Sequence, residues 1–151
     1  MITNVEMDIF KMESDAIIHQ CNCFGKMGGG IARLIRDRYP EAAEADNHTT
    51  CGDKAKMGHY SCVKAYDAKY IYNLYSQYRY GSDKRHTDYE AFFTGMTGIR
   101  SHLETVGLRS AAVPYFIGCG LGGGDWRIIE TMLKVIFEEW EGTLFICKLP
   151  V

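Results

Sequence analysis

The chain has no apolar run approaching the roughly 20 residues that a membrane helix needs, and no CxxC pair among its six cysteines. It also carries no marked excess of charge of either sign. The first absence removes a membrane-spanning reading, and the acidic start MITNVEMDIFKMESD lacks the basic stretch and apolar core of a secretory signal. A soluble, cytoplasmic protein is expected. The cysteines, at 21, 23, 51, 62, 119 and 147, are dispersed. That spacing fits neither a zinc ribbon nor a disulfide framework, so reduced thiols and no metal are expected. A net charge of -2 and an isoelectric point near 6.2 provide no overall positive field for nucleic acid, and any such role must be local. No repeat, linker or low-complexity stretch divides the 151 residues. They read as one domain, 1–151, large enough to bury roughly two thirds of its unfolded surface.

What is present centres on two glycine-rich stretches. Asp15 to Asp37, DAIIHQCNCFGKMGGGIARLIRD, reads as a buried strand, a polar elbow, three glycines and a helix from about Ile31. Glycines 28 to 30 impose no Cβ clash, so successive N–H groups can converge on one oxyanion and the helix adds its positive end. Val113 to Trp126, VPYFIGCGLGGGDW, repeats the design with glycines at 118, 120, 122, 123 and 124. Neither stretch fits the dinucleotide fingerprint or the Walker pattern. Each alone is an ordinary strand-to-helix turn, but the pair points to a diphosphate or a large phosphorylated sugar.

Along the chain, Ile2 to Met12 reads as a first strand and Ala16 to Ile18 as a short strand covered on both faces. The latter delivers His19, Gln20 and Asn22 at its C-terminal end, where α/β sheets bind ligands. Pro40 ends the first helix or starts another. His59 to Tyr66 and Tyr70 to Tyr75 read as a hairpin. Ser76 to Asp83 is a loop rich in Tyr and Arg, after which Thr87 or Asp88 caps a long helix with an apolar stripe from Tyr89 to Val106. Strand Ser110 to Ile117, a last helix from Trp126 and strand Thr143 to Leu149 complete the order β, β, α, α, β, β, α, β, α, β. No apolar stripe is left over for a dimer, so a monomer is expected.

The segments DAIIHQCNCFGKMGGGIARLIRDRYPEA, NLYSQYRYG with DKRHTDYEA, and PYFIGCGLGGGDW together resemble a macrodomain. The resemblance spans nearly the whole chain. It is to the branch holding ADP-ribose 1''-phosphate phosphatases and ADP-ribosyl-removing hydrolases. It implies a three-layer α/β/α fold around a mixed sheet, an ADP-ribose pocket, and no cofactor. By position, Asp15 with Ala16 and Ile17 would meet the adenine, Asn22 the distal ribose, and Gly28, Gly29, Gly30 and Ile31 the first phosphate. Gly118, Cys119, Gly120, Leu121, Gly122 and Gly123 would form the second loop.

Where the branch that cleaves ADP-ribose from macromolecules carries a lysine, the matching position here is Gln77, which can neither form a Schiff base nor take a proton. The phosphatase reading needs aligned donors and a proton-handling group, and the expected catalytic set is His19, Asp125 and Asn22. His19 can equally bond backbone at the strand end, and Asp125 is a natural helix N-cap. The implied partners are ADP-ribose, ADP-ribose 1''-phosphate or an ADP-ribosylated macromolecule. A non-catalytic ADP-ribose reader, and a hydrolase removing ADP-ribose from protein, nucleic acid or an acetyl ester, remain as alternatives.

Overall fold

The computed structural model describes every residue from Met1 to Val151, and its six strands and four α-helices follow the expected order. The strands are β1 (Ile2–Glu6), β2 (Ala16–Cys21), β3 (Tyr60–Lys64), β4 (Tyr70–Tyr75), β5 (Ser110–Pro114) and β6 (Thr143–Lys148). The helices are α1 (Gly30–Arg38), α2 (Pro40–Asn47), α3 (Tyr89–Val106) and α4 (Trp126–Phe137). The strands form one sheet in the order β1-β6-β5-β2-β4-β3. All neighbours are parallel except the β3–β4 hairpin, so the sheet is mixed.

All six residues of β2 are buried, which is what a central parallel strand covered on both faces requires. Alternation sends Ala16 and Ile18 to one face, where they join Phe92, Met96, Ile99 and Leu103 of α3 and Ile129, Leu133 and Phe137 of α4. Ile17 points to the other face with Ile35 of α1 and with Tyr39 and Ala42. The result is three layers, helices on either side of the sheet. Gly95 is the point of closest approach of α3: a Cβ there would collide with Leu74 Cδ1 and stand 3.3 Å from the backbone of Gly58.

Two expectations change in detail. The first strand stops at Glu6, because Asp8 turns the chain into a 3₁₀ turn (Ile9–Lys11) by accepting the Phe10 N–H at 2.9 Å. The apolar stripe of α3 is less buried than its spacing suggests, since Phe93 and Val106 lie on the open side. Both glycine stretches leave adjacent strands, β2 and β5, at their C-terminal ends in the middle of the sheet.

Candidate functional site: two facing glycine loops and a cavity

The first loop is built by Asn22. Its Oδ1 accepts the N–H groups of Phe24 (2.9 Å) and Lys26 (3.4 Å), and its Nδ2 donates to Lys26 O at 2.8 Å. This is an Asx-type turn that reverses the chain after β2. Met27 anchors the turn in the α1 side of the core, and Gly28, Gly29 and Gly30 emerge exposed. Gly29 caps α1 without any side-chain hydrogen bond. The N–H groups of Gly28, Gly29, Gly30 and Ile31 have no partner within the chain. They form an uncapped helix N-terminus of the kind that takes an anion.

The second loop closes on itself through Cys119 N–H to Phe116 O (2.8 Å), Gly123 N–H to Gly120 O (3.1 Å) and Gly124 N–H to Gly118 O (2.9 Å). That pattern leaves the N–H groups of Gly120, Leu121 and Gly122 without a partner. The two loops face each other: Leu121 Cδ1 lies 3.0 Å from where a Cβ on Gly29 would stand.

The second loop is held from behind by Gln20. Its Nε2 donates to Gln77 Oε1 (2.7 Å) and to Thr87 Oγ1 (2.9 Å), and its Oε1 accepts from Ser76 Oγ (2.5 Å). Thr87 Oγ1 in turn donates to Gly118 O at 2.6 Å, and the N–H groups of His86 and Thr87 both donate to Gly122 O. A Cβ on Gly122 would run into Thr87 Oγ1 and stand 2.8 Å from both Gln20 Nε2 and Gly118 O. Only glycine fits against this clamp.

Beside the loops, the ends of β1, β5 and β6 and the face of α1 enclose a cavity of about 950 Å³. Its lining includes Asp8, Ile9, Ile31, Leu34, Tyr115 and Leu149. It is mostly apolar, with the Asp8 carboxylate on its wall, and it meets the first loop at Ile31 and the second at Tyr115. These features suit a planar base and a sugar.

The structure gathers Gly28 to Ile31 and Gly118 to Gly123 as expected but separates several other candidates from them. Asp15 sits at the opposite end of β2, where its Oδ2 accepts the N–H groups of Arg109 (2.8 Å) and Ser110 (3.2 Å). The six residues of β2 put about 20 Å between it and the loops, so it cannot read a base held in the cavity. Ala16 and Ile17 are fully buried. The cavity is lined by two other acids, Asp8 and Asp37; Asp8 lies in a segment that read as strand, and its clue was an acid breaking an apolar alternation.

His19 has no exposed surface and bonds Asn73 Oδ1 at 2.7 Å. Burial lowers its pKa from 6.5 to about 4, so it is neutral at ordinary pH and reaches neither loop opening. Asn22 is occupied in the first turn. Gln77 gives its Oε1 to Gln20 and donates its Nε2 to Arg79 O at 2.8 Å. Asp125 caps α4 by accepting Arg127 N–H (2.9 Å) and pairs with the Arg127 guanidinium at 2.8 Å. That bond holds its carboxyl below the usual range, so it is ionised near neutrality and is a weak proton acceptor. Cys119 is buried, which pushes its thiol up to about 11 and keeps it un-ionised. No three His, Cys, Asp or Glu side chains converge as a metal site.

The fold and the paired loops define a class of three-layer α/β domain with two facing glycine loops at the C-terminal ends of adjacent strands of a mixed sheet, where such sheets bind ligands. The chain belongs to the macro domain family, whose profile matches residues 18–133. It is 32% identical over 143 residues to an uncharacterized 17.5 kDa protein from the tk-vs intergenic region of Enterobacteria phage T4, covering 87% of this chain and 90% of that one. It is 30% identical over 138 residues to the ADP-ribose glycohydrolase OARD1 of Homo sapiens, covering 91% of this chain and 84% of the relative. A shorter match, 48% identical over 42 residues, covers 27% of this chain and 21% of an ADP-ribose 1''-phosphate phosphatase of Neosartorya fischeri. In fold it superposes on the macrodomain of Mycobacterium tuberculosis DarG with a TM-score of 0.81 at 24% identity, covering 100% of this chain and 99% of that structure.

Proposed function

We propose that the protein binds ADP-ribose and hydrolyses the phosphomonoester of ADP-ribose 1''-phosphate to ADP-ribose and inorganic phosphate. The observation that carries the binding reading is the pair of facing loops, whose seven unpartnered N–H groups suit a diphosphate at the edge of an apolar cavity. The adenine enters the cavity with its amino group towards Asp8, the diphosphate lies between the loops, and the distal ribose passes over β2 towards Gln20 and Gln77. Water attacks the 1''-phosphorus, the P–O bond to the sugar breaks, and one of the water's protons ends on the departing 1''-oxygen, so that ADP-ribose and inorganic phosphate result. Asp125, ionised at the end of the second loop, orients the attacking water by accepting its hydrogen bond.

A second reading, a non-catalytic ADP-ribose reader, is favoured by one specific finding: His19, Asn22 and Gln77 all spend their polar atoms on the fold itself. Calorimetric titration with ADP-ribose, paired with phosphate release from ADP-ribose 1''-phosphate, separates the two. Asp125→Asn keeps the helix cap, since Asn caps as well as Asp. The phosphatase reading expects this variant to bind ADP-ribose normally while releasing phosphate at least tenfold more slowly. Tight binding with no phosphate released by the wild-type protein makes it a reader.

A further inference from the structure

The cavity wall carries four charged side chains, Asp8, Asp37, Arg38 and Lys148, and they differ in what already holds them. Asp8 accepts the Phe10 N–H at 2.9 Å, and Asp37 accepts from the Nε and Nη2 of Arg36 at 3.2 and 3.1 Å. The two cations make no side-chain hydrogen bond or ion pair. Their charges rest on ring faces instead, Arg38 over Phe10 at 5.2 Å and Lys148 over Tyr115 at 4.9 Å. A ring face leaves the N–H donors of a cation unused, so both are free to take an anion that enters the cavity.

Their places along the cavity separate them. Ile31 and Arg38 stand at opposite ends of α1, about 10 Å apart along its axis. Arg38 therefore lies at the end away from the glycine loops. Lys148 belongs to the loop end. Tyr115 leads from β5 into the second loop, and its N–H donates to Cys147 O at 2.8 Å, which sets its ring beside the next residue of β6. From the other side Met7 N–H donates to Lys148 O at 2.8 Å. The backbone of Lys148 is thus pinned between β5 and the end of β1, and a fixed strand end presents its ammonium to the cavity. Glu6, its register partner on β1, forms no ion pair with it.

In the proposed pose the diphosphate lies between the loops and the base lies deeper, with its amino group towards Asp8. The ribose that joins them sits at the loop end, beside Tyr115 and Lys148. Its 5'-oxygen is spent on the diphosphate and its anomeric carbon on the base, which leaves the 2'- and 3'-oxygens to face the wall. Nucleotide sites distinguish a free from a phosphorylated ribose by the side chain beside those hydroxyls, an acid for the first and a cation for the second. We propose that Lys148 recognises a phosphomonoester on the adenosine ribose, so that the cavity takes an adenosine diphosphate phosphorylated at its 2'- or 3'-oxygen. The inference rests on the ADP-ribose reading of the cleft. A phosphate dianion accepts charge-assisted hydrogen bonds from the ammonium and outcompetes the ring face, while the methylene stem stays packed on Tyr115.

The test is calorimetric titration of the full chain, at low salt, with AMP, adenosine 2',5'-bisphosphate and adenosine 3',5'-bisphosphate, with ADP-ribose as the reference ligand. At least one bisphosphate is expected to bind about tenfold more tightly than AMP, the gain from one charge-assisted contact. The isomer that gains identifies the hydroxyl. Lys148→Met keeps the stem and removes the charge; it abolishes the gain while AMP and ADP-ribose bind within about twofold of wild type. Arg38→Met keeps the gain. Wild-type protein that binds ADP-ribose but takes neither bisphosphate more tightly than AMP overturns the inference and leaves the ADP-ribose reading standing. A gain that survives Lys148→Met overturns the role of Lys148, and one lost in Arg38→Met places the phosphate at the far end of the cavity and overturns it as well. Protein that binds neither ADP-ribose nor AMP overturns the ADP-ribose reading, and this inference with it.

Discussion

Two aspartates seven residues apart do opposite jobs, and their separation is a matter of which end of a strand each occupies. Asp15 accepts two backbone N–H groups at the start of β5 and faces away from the cleft. Asp8 caps a 3₁₀ turn and lines the cavity. Asp15→Ala is expected to cost about 1 kcal/mol of stability by leaving two N–H groups to water, since the site is exposed, with ADP-ribose affinity unchanged. Asp8→Ala is expected to weaken ADP-ribose about tenfold through loss of a hydrogen-bond acceptor, a difference of roughly 1.4 kcal/mol. Denaturant melts and calorimetry on both variants check the pair of outcomes. Equal affinities for the two variants would remove Asp8 from base recognition.

At the scale of elements, the second glycine loop is fixed as much by the β4–α3 connection behind it as by its own hydrogen bonds. Gln20 of β2 reaches Thr87 across 67 residues of sequence, and Thr87 passes the constraint to Gly118 O. Thr87→Val removes the hydroxyl while keeping the shape. The loop then loses its tether, and the cost falls on ligands that need the loop in place. ADP-ribose affinity is expected to drop about tenfold and that for AMP, which in the proposed pose uses the cavity and one loop, to change little; Thr87→Ser restores the ADP-ribose affinity. A uniform loss for AMP and ADP-ribose would show a general loosening of the fold instead.

At the scale of the whole molecule, the helices and sheet bury His19 completely, and its titration is therefore linked to folding. Its pKa is near 4 when folded and about 6.5 when unfolded, so between those values the unfolded chain binds the extra proton. Its contribution to stability is fully present above about pH 6.5, falls as pH drops towards 4, and levels off below. The loss amounts to something on the order of 3 kcal/mol. His19→Gln, which can still bond Asn73, lacks this dependence. The gap in unfolding free energy between wild type and variant should narrow as pH falls from 6.5 to 4, and parallel curves over that range would show that His19 is not buried neutral.

The sequence by itself determined what depends on neighbours along the chain. Alternating and helical apolar spacing set the order of ten elements, Pro40 marked a helix boundary and Thr87 or Asp88 a helix start, and Gly28 to Gly30 and the glycines between 118 and 124 marked the two loops. These are local consequences of backbone sterics and periodicity. Only the tertiary structure decided which side chains reach the cleft. Parallel pairing of β2 with β5 placed both loops together and carried Asp15 to the far end of the sheet. Packing on the two faces of the sheet gave His19 and Gln20, adjacent in sequence, different partners: one is sealed against Asn73, the other supports the second glycine loop through Thr87. A side chain's chemistry is written in its residue type, but its access to ligand is set by what the rest of the chain lays over it.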